Sequence, residues 1–350
     1  MRILMVTDAW RPQVNGVVHT LERLADALKP FGAEALFLTP LAFRTLPMPT
    51  YPDIRLALTT PGRVARMIDE FEADHVHIVT EGPLGLMARR LCLKRGDPFT
   101  TSYHTRFPEY LSARVPVPER WAYNWLRSFH NSGDGCLVAT QSLADDLAAR
   151  GFNTLKPWTR GVNIDLFRPD KRRELDLPRP IFLSVGRVAV EKNIPAFLDL
   201  DLPGSKLVVG DGPEMAKLKT RYPDVHFWGH RPNEELAEIY ASADVFVFPS
   251  LTDTFGNVII EALASGTPVA GFPVTGPKDI VGDGIGGVVS PDLRRAALDA
   301  LTIDRAAARQ KAMRYTWPEC AAQFLATVKA AREGRGRGVP ASLRLVPVAA

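Results

Sequence analysis

Two basic side chains follow a predicted buried strand in the second half of the chain. Arg187 and Lys192 lie in the loop after the apolar run Ile181–Val185. A guanidinium grips phosphate oxygens in a fork, and an ammonium adds a mobile point charge. The pair could therefore bind a phosphate or diphosphate. Two solvated surface cations are the alternative, and this loop alone leaves both interpretations open.

A second group of candidate ligands follows another apolar strand, at the start of a predicted helix. Gly256 lets a ligand approach the backbone closely. The neighbouring backbone amides offer free N–H donors and a partial positive charge, which favour a phosphate. The amides in question belong to Phe255, Gly256, Asn257 and Val258.

Two carboxylates flank the same helix start. Glu261 lies in the apolar run VIIEALA, where a carboxylate without partners would be costly. It therefore faces either a ligand, such as ribose hydroxyls, or a basic side chain in a structural ion pair. Asp253 lies too early for a simple N-terminal cap, so binding of sugar hydroxyls is at least as good an interpretation.

The elements that position these groups alternate between strand and helix. Strands are predicted at 2–7, 34–38, 75–79, 99–103, 135–139, 181–185, 206–209, 225–228, 245–248 and 269–271. Helices are predicted at 17–28, 61–71, 85–94, 141–150, 214–219, 233–241, 258–264 and 277–280. A linker rich in charge and proline separates the two halves at 168–180. This alternation predicts an α/β fold of two doubly wound domains, with ligands in a cleft at the carboxyl ends of the strands.

Composition limits the classes of function. The 350 residues favour two domains, and a net charge of +4 does not by itself indicate nucleic acid. The three cysteines are interpreted as reduced thiols of a cytoplasmic protein. No run approaches the ~20 apolar residues of a spanning helix, so membrane contact is expected to be peripheral.

The spacing Asp253-x7-Glu261, followed by SGTPV at 265–269, resembles the signature of glycosyltransferase family 4. The other matching segments are VNGVVHTLERLADAL (14–28), YHT (103–105), VGRVAVEKN (185–193), VGDGPE (209–214), FWGH (227–230) and YASADVFVFPS (240–250). The family usually has Glu where this chain has Asp253, which is one methylene shorter.

The resemblance implies the GT-B architecture of two Rossmann-like domains facing a cleft. The first domain would span 1–167 and the second, which binds the nucleotide sugar, 168–314. A terminal helix at 315–332 would cross back to the first domain, and 333–350 would be a mobile tail.

The resemblance also implies roles in binding the donor. Arg187 and Lys192 would bind the diphosphate, and Glu261 would bind the ribose. Asp253 and the amides of 255–258 would hold the transferred sugar. Fixed cations and a helix start can stabilise a leaving phosphate, so no metal and no other cofactor is expected.

Further roles implied by the resemblance fall outside this cluster. Gly16 would let an N-terminal loop approach the phosphates, and Gly210 and His230 would border the nucleobase. His104 would lie near the sugar and the leaving oxygen. His104 and Asp253 are thus the candidate catalytic residues.

An insert at 106–130 is dense in aromatic and arginine residues and resembles that of enzymes that glycosylate diacylglycerol. Aromatic and basic side chains together favour a membrane interface, and ordinary core packing is the alternative. The candidate acceptor or membrane contacts are Arg106, Tyr110, Trp121 and Trp125. Phe107, Tyr123 and Phe129 are further aromatic candidates.

The expected activity is retaining transfer of a hexose of glucose, glucuronic acid or mannose type from a nucleotide-diphosphate sugar. A UDP-sugar donor and a membrane lipid such as diacylglycerol are expected, with the enzyme peripheral on the inner face of the cytoplasmic membrane. The alternatives are a GDP-mannose-dependent mannosyltransferase acting on a phospholipid or saccharide, and a non-catalytic nucleotide-sugar-binding protein. A dehydrogenase is disfavoured because Met215 stands where G-x-G-x-x-G needs its third glycine, and the spacing fits transfer better than epimerisation.

Overall fold

The computed structural model describes residues 1–11, 16–48, 51–112 and 118–334, without the side chains of 48, 51–54 and 110–112. These residues form two compact units. Unit 1 comprises Met1–Arg160 and the described residues from Trp317 onward, and unit 2 comprises Gly161–Thr316. Of the predicted tail, residues 335–350 lie outside the description.

The units divide at 160/161 and 316/317, whereas the sequence interpretation placed the divisions at 167/168 and 314/315. The first difference has a clear cause. The Arg309 guanidinium donates to the carbonyls of Phe167 (2.7 Å) and Ile164 (3.0 Å), which holds that segment on unit 2.

Unit 1 contains a parallel sheet and a separate antiparallel pair. The strands are β1 (Arg2–Val6), β2 (Glu34–Leu38), β3 (Arg44–Met48), β4 (Tyr51–Leu58), β5 (His75–Ile78), β6 (Phe99–Tyr103), β7 (Cys136–Val138) and β8 (Leu155–Pro157). The sheet order is β2-β1-β5-β6-β7-β8, and β3 pairs with β4. The helices are α1 (Gly16–Leu28), α2 (Pro61–Glu70), α3 (Pro83–Arg95), α4 (Phe107–Ser112), α5 (Glu119–His130) and α6 (Gln141–Ala149).

Unit 2 repeats the plan with a second parallel sheet. Its strands are β9 (Ile181–Val185), β10 (Ser205–Val209), β11 (His226–Gly229), β12 (Val245–Phe248), β13 (Val269–Gly271) and β14 (Gly287–Val289). The order is β11-β10-β9-β12-β13-β14. The helices are α7 (Ile194–Leu198), α8 (Met215–Arg221), α9 (Asn233–Ser242), α10 (Asn257–Ala264), α11 (Pro277–Val281), α12 (Leu293–Ala300) and α13 (Arg305–Ala312).

The terminal helix α14 (Trp317–Arg332) belongs to unit 1. Its buried face includes Cys320, Phe324 and Val328, which pack with Ile3 and Met5 of β1. The long apolar run of β1 is thus covered by the last helix of the described chain. No described helix has the length and apolarity needed to cross a membrane.

Each sheet has one point at which successive connections turn in opposite directions. In unit 1 the chain moves outward from β1 to β2 and then returns to β5 on the other side of β1. In unit 2 the corresponding neighbours are β9 and β12. Doubly wound sheets bind ligands outside the carboxyl ends of strands at such a switch point. The loops after β9 and β12 therefore define the first place to look for a site.

Candidate functional site

An ion pair joins the loops that follow β9 and β12. Lys192 Nζ lies 2.6 Å from Asp253 Oδ1, and both side chains are largely but not fully buried. Lys192 ends a short 3₁₀ turn, after which Asn193 adopts a left-handed conformation with φ 51°. Lys192, which is predicted to bind phosphate, and Asp253, which is predicted to bind the sugar, thus meet at the switch point of unit 2.

Two hydrogen bonds from side chains to backbone carbonyls also join the two loops. Asn193 Nδ2 donates to the carbonyl of Pro249 at 3.1 Å, and Ser250 Oγ donates to the carbonyl of Glu191 at 3.4 Å. Arg187 lies in the same loop as Lys192 and is exposed. The structure therefore brings Lys192 and Asp253 into contact, with Arg187 in the same loop as Lys192.

The second carboxylate oxygen of Asp253 is distinctive. Within the described part of the chain, Oδ2 is buried and accepts no hydrogen bond. Leaving a buried acceptor unsatisfied costs roughly 1–3 kcal/mol, and more for a charged group. A hydroxyl or amide from a ligand would remove that cost, which fits the sugar-binding interpretation.

The start of α10 lies directly after Asp253. Gly256 has φ 89°, and a Cβ there would lie 3.0 Å from both Phe248 Cζ and Ile259 Cδ1, so glycine is required. Gly256 is the N-cap of α10 and has no side chain with which to cap it. The first-turn amides of Asn257 and Val258 have no acceptor within the helix, because the helix provides none for its first residues. These donors are suited to an anion.

The buried side chain of Phe255 anchors the turn that precedes α10. Its side chain is 4% exposed and its ring packs on Tyr315, with centroids 5.8 Å apart. Gly276, with φ 95°, passes so close that a Cβ would lie 2.5 Å from the Phe255 carbonyl oxygen. The role predicted for Phe255 therefore concerns its backbone, since its side chain belongs to the core.

Glu261 lies one helical turn after Asn257 and is partly exposed. Its Oε2 accepts from the hydroxyl of the fully buried Tyr240 at 3.2 Å. Burial raises the pKa of Glu261 to about 7, and the Tyr240 bond opposes this only in part. The described contacts of Glu261 include no basic side chain. The structural ion pair that the sequence left open is therefore not found among them.

The predicted nucleobase region has a packing role that the sequence did not reveal. A Cβ on Gly210 would lie 1.9 Å from the Gly186 carbonyl oxygen, and one on Gly212 would lie 2.3 Å from the Val188 carbonyl oxygen. Glycines here let the loops after β9 and β10 touch. His230 follows β11 and is exposed.

In unit 1, the sequence reasoning overlooked Asp8, which follows β1 and is 5% exposed. Oδ1 accepts from the Leu84 amide at 2.9 Å, and Oδ2 accepts from the Gly85 amide at 3.3 Å and the Thr80 hydroxyl at 3.1 Å. Asp8, which follows β1, thereby caps α3, which follows the neighbouring strand β5, a task that Gly82 at the N-cap cannot perform. Burial raises its pKa to about 6. The available signal was an acidic residue directly after a buried strand.

His104 follows β6, and Gly16 begins α1 and is exposed. Arg160 Nη2 lies 3.3 Å from His104 Nδ1. Burial, and then the charge of Arg160, lower the pKa of His104 well below its usual range. Arg160 is a second residue that the sequence reasoning missed, and nothing in its local pattern marked it as buried.

The insert divides into a packed part and an exposed part. Arg106 binds Glu109 (3.2 Å) and Asp146 (2.8 Å), which ties α4 to α6. Trp121 and Trp125, one turn apart on α5, are 61% and 42% exposed. The side chain of Tyr110 lies outside the described residues.

Tyr123 and Phe129 correct the initial view of the insert. They are 4% and 2% exposed, so they belong to the core and are unavailable to a lipid. Tyr123 donates from its hydroxyl to Glu109 at 2.6 Å. Phe107, by contrast, is 37% exposed.

Among the described residues, no group of three or more His, Cys, Asp and Glu side chains is arranged to hold a metal ion. Arg187 and Lys192 lie in the loop after β9, and Asp253, the start of α10 and Glu261 follow β12, so all belong to the candidate site at the switch point of unit 2. It offers cations and amides for an anion beside carboxylates for hydroxyls. A molecule that carries both phosphate and sugar groups matches this arrangement.

Comparison with known proteins agrees with this chemistry. Residues 14–166 match the family model described as Glycosyltransferase Family 4, and residues 179–303 match the one described as Glycosyl transferases group 1. A GDP-mannose-dependent alpha-mannosyltransferase of Mycobacterium tuberculosis is 30% identical over 96% of this chain and 98% of its own length. Sulfoquinovosyl transferase SQD2 of Arabidopsis thaliana is 29% identical over 77% of this chain and 58% of its own length.

A solved structure shows the same fold. Sucrose-phosphate synthase from Thermosynechococcus elongatus superposes with a TM-score of 0.75 and 21% identity, covering 95% of this chain and 99% of that chain. The prediction of an α/β protein with two Rossmann-like units of GT-B type is therefore confirmed. The chain belongs to glycosyltransferase family 4 and is an enzyme that transfers a sugar.

Proposed function

We propose that the enzyme takes its sugar from a nucleotide-diphosphate sugar bound at the unit 2 site. The observation that supports this most directly is the Lys192–Asp253 pair at the switch point, with Asp253 Oδ2 buried and accepting nothing among the described residues. A sugar hydroxyl can donate to that oxygen. The phosphates can then lie against Lys192, Arg187 and the start of α10.

Each residue has a distinct task in this proposal. The negative charge of the departing nucleoside diphosphate develops next to Arg187, Lys192 and the amides of α10. Because these donors are fixed before reaction, they stabilise the leaving group without reorganisation. Glu261 accepts from the ribose hydroxyls. Retention of the anomeric configuration is proposed from the family resemblance.

GDP-mannose is the donor that the comparisons favour. The mannosyltransferase of Mycobacterium tuberculosis matches this chain over almost the full length of both proteins, whereas SQD2 matches over just 58% of its own length. A UDP-sugar, the donor first expected from the sequence, is the second candidate. Thermal stabilisation by GDP against UDP separates the two, because a ligand that binds the folded state raises the unfolding temperature.

Substitution of the cations tests the site. We expect Lys192→Ala and Arg187→Ala each to lower kcat by about 100-fold or more, as the loss of one donor to a developing anion typically does. Sugar transfer is measured as release of nucleoside diphosphate. Lys217→Ala is the matched control, since its ammonium pairs with Glu214 on the surface of the same unit. Wild-type turnover in both site variants would refute the assignment.

Metal independence is part of the proposal. The arginine, the lysine and the helix start supply the positive charge that a divalent cation supplies in other transferases. We expect turnover to be unchanged in excess chelator. Complete loss of turnover that Mg²⁺ or Mn²⁺ restores would show that the cations of the chain do not suffice.

A membrane lipid is the proposed acceptor. Trp121 and Trp125 present two large apolar rings on α5, and Arg120 and Arg127 are exposed on the same helix. Exposed tryptophans and arginines on one helix suit the boundary of an anionic bilayer, and we propose that the enzyme is peripheral on the inner face of the cytoplasmic membrane. Transfer of radiolabelled mannose into organic-extractable lipid tests this, with water-soluble saccharides as the competing acceptors. A protein that binds nucleotide without turnover on either acceptor would favour the non-catalytic alternative.

A further inference from the structure

Arg160 is an unusual arginine in this chain because it is 4% exposed and its described contacts include no carboxylate. Nη1 donates to the carbonyls of Trp158 (3.0 Å) and Thr159 (3.3 Å). The guanidinium carbon lies 4.2 Å from the centre of the Trp158 ring. Nη2 approaches His104 Nδ1 at 3.3 Å. A buried positive charge is thus held in place and directed at an imidazole.

The backbone around Arg160 is anchored to the terminal helix. The Trp158 indole donates to the Cys320 carbonyl at 3.2 Å, and the Thr159 amide donates to Gln323 Oε1 at 2.8 Å. The Cys320 thiol also donates to the Thr159 carbonyl. Because α14 is part of the core of unit 1, Arg160 has little freedom to move away from His104.

In the contact between Arg160 and His104, only the arginine can be the hydrogen-bond donor. A guanidinium has donors and no acceptor, so His104 Nδ1 must be the acceptor and cannot carry the proton. In a neutral imidazole the proton then resides on Nε2. We propose that Arg160 is a positioning residue that keeps His104 neutral, with its proton on Nε2, so that His104 serves the reaction as a hydrogen-bond donor rather than as an acid or base.

The other groups around His104 act in the same direction. The Trp158 ring packs on His104 with centroids 5.6 Å apart and excludes water from that face. His77 and His130 are neighbouring titratable groups, and both disfavour protonation of His104. His77 is held between the Thr100 and Ser102 hydroxyls, and its pKa is lowered well below the usual range by burial.

The proposal leads to a direct spectroscopic test on the whole protein. Long-range ¹H–¹⁵N spectra of histidine-labelled enzyme, with His104 assigned by comparison with His104→Gln, report the tautomer and the pKa. We expect an Nε2–H tautomer that does not titrate between pH 5.5 and 8, since the ordinary pKa is about 6.5. A proton on Nδ1, or a charged ring at pH 7, would overturn the proposal.

Variants of Arg160 identify the cause. Arg160→Met removes both donor and charge, so we expect mixed tautomers and a higher pKa for His104, and Arg160→Lys is expected to restore the Nε2–H form. Arg95→Met is the control, because Arg95 pairs with Asp69 on the surface of the same unit. An unchanged His104 signal in Arg160→Met, with the fold verified by its unfolding temperature, would show that Arg160 does not act on it.

Turnover tests the consequence and rests on the proposed function. Glutamine retains a neutral N–H donor, so His104→Gln is expected to keep kcat within about tenfold, whereas His104→Ala loses more. Loss of general acid–base catalysis typically costs 10²–10⁴-fold, so equal losses of that size in both variants would contradict the donor role. If no sugar transfer is found at all, the proposed function fails, while the tautomer measurement still decides the role of Arg160.

Discussion

Asp253 and Glu261 show how two carboxylates in one site are set for different tasks by their surroundings. Asp253 is paired with Lys192 at 2.6 Å, and its second oxygen is left for a hydroxyl donor. Glu261 has a phenol for a neighbour and no cation among its described contacts, and burial raises its pKa to about 7. The site therefore stores an electrostatic cost at Glu261 that a bound ribose would offset.

Glu261→Gln tests this cost. The folded pKa of Glu261 lies above its ordinary value of 4.5, so folding loses stability as pH rises from about 4.5 to 7 and gains nothing back above that. Glutamine has no charge to bury. We expect the variant to match the wild type near pH 4.5 and to be more stable by roughly 1–3 kcal/mol at pH 8. Urea unfolding across that pH range measures the difference.

The same variant is expected to bind nucleotide less well. An amide has one acceptor where the carboxylate has two oxygens, so at least one charge-assisted ribose contact is lost, which costs about tenfold in affinity. Calorimetric titration with GDP measures it. Tighter binding by Glu261→Gln would mean that Glu261 does not contact the ribose.

The sequence singled out the candidate site residues because each belongs to a local pattern of strand, loop and helix. Lys192 and Asp253 could be assigned separately from such patterns. Their contact could not, because it depends on β9 and β12 being neighbours, and 61 residues separate them along the chain. Arg160 and Asp8 were missed for the same reason: their partners, His104 and the start of α3, come from other parts of the sheet.

At the scale of elements, the packing of Asp8, which follows β1, against the start of α3 leaves no room for a side chain at Gly82. Gly82 precedes α3, and a Cβ there would lie 2.4 Å from the Asp8 carboxyl carbon. That carboxylate cannot simply move aside, because it binds the Leu84 and Gly85 amides that open the helix.

We therefore expect Gly82→Ala to destabilise the fold by about 1–3 kcal/mol, the usual range for added bulk in a packed site. Gly62→Ala is the matched control. Gly62 also lies at the start of a helix, but nothing is found within 4 Å of its added Cβ. That control is expected to be neutral or more stable by up to about 1 kcal/mol. Equal stabilities of the two variants in urea would contradict the close packing.

Several elements that the sequence did not predict were missed for different physical reasons. Strands β8 and β14 have three residues each, too short to show periodicity, and the pair β3 and β4 contains prolines in both strands. Helices α4 and α5 were treated as an insert because aromatic and charged residues obscured the repeat. In α5 the repeat does exist, since Ala122, Leu126 and Phe129 are buried on one face.

For the molecule as a whole, α5 presents two exposed tryptophans to the solvent. Trp121 is 61% exposed to water and Trp125 is 42% exposed. Exposed aromatic rings of this size do not stabilise the fold. Tryptophan is suited to the boundary between headgroups and acyl chains, and nearby arginines add attraction to anionic lipid. This face is therefore the surface through which the enzyme is expected to reach a lipid acceptor.

Vesicle binding measures that expectation. We predict that the double variant Trp121→Ser/Trp125→Ser binds vesicles containing phosphatidylglycerol at least about tenfold more weakly than the wild type. The variant lacks two rings whose burial in the membrane would contribute roughly 25 cal/mol for each Å² of apolar surface removed from water. Leu41→Ser is the control, because Leu41 is 67% exposed in the same unit but far along the chain from α5. Wild-type binding should weaken with salt and with purely zwitterionic vesicles, because the arginine attraction is screened or absent. If the double variant binds as the wild type does and still turns over dissolved donor, the sugar transfer stands but α5 is not the surface that meets the membrane.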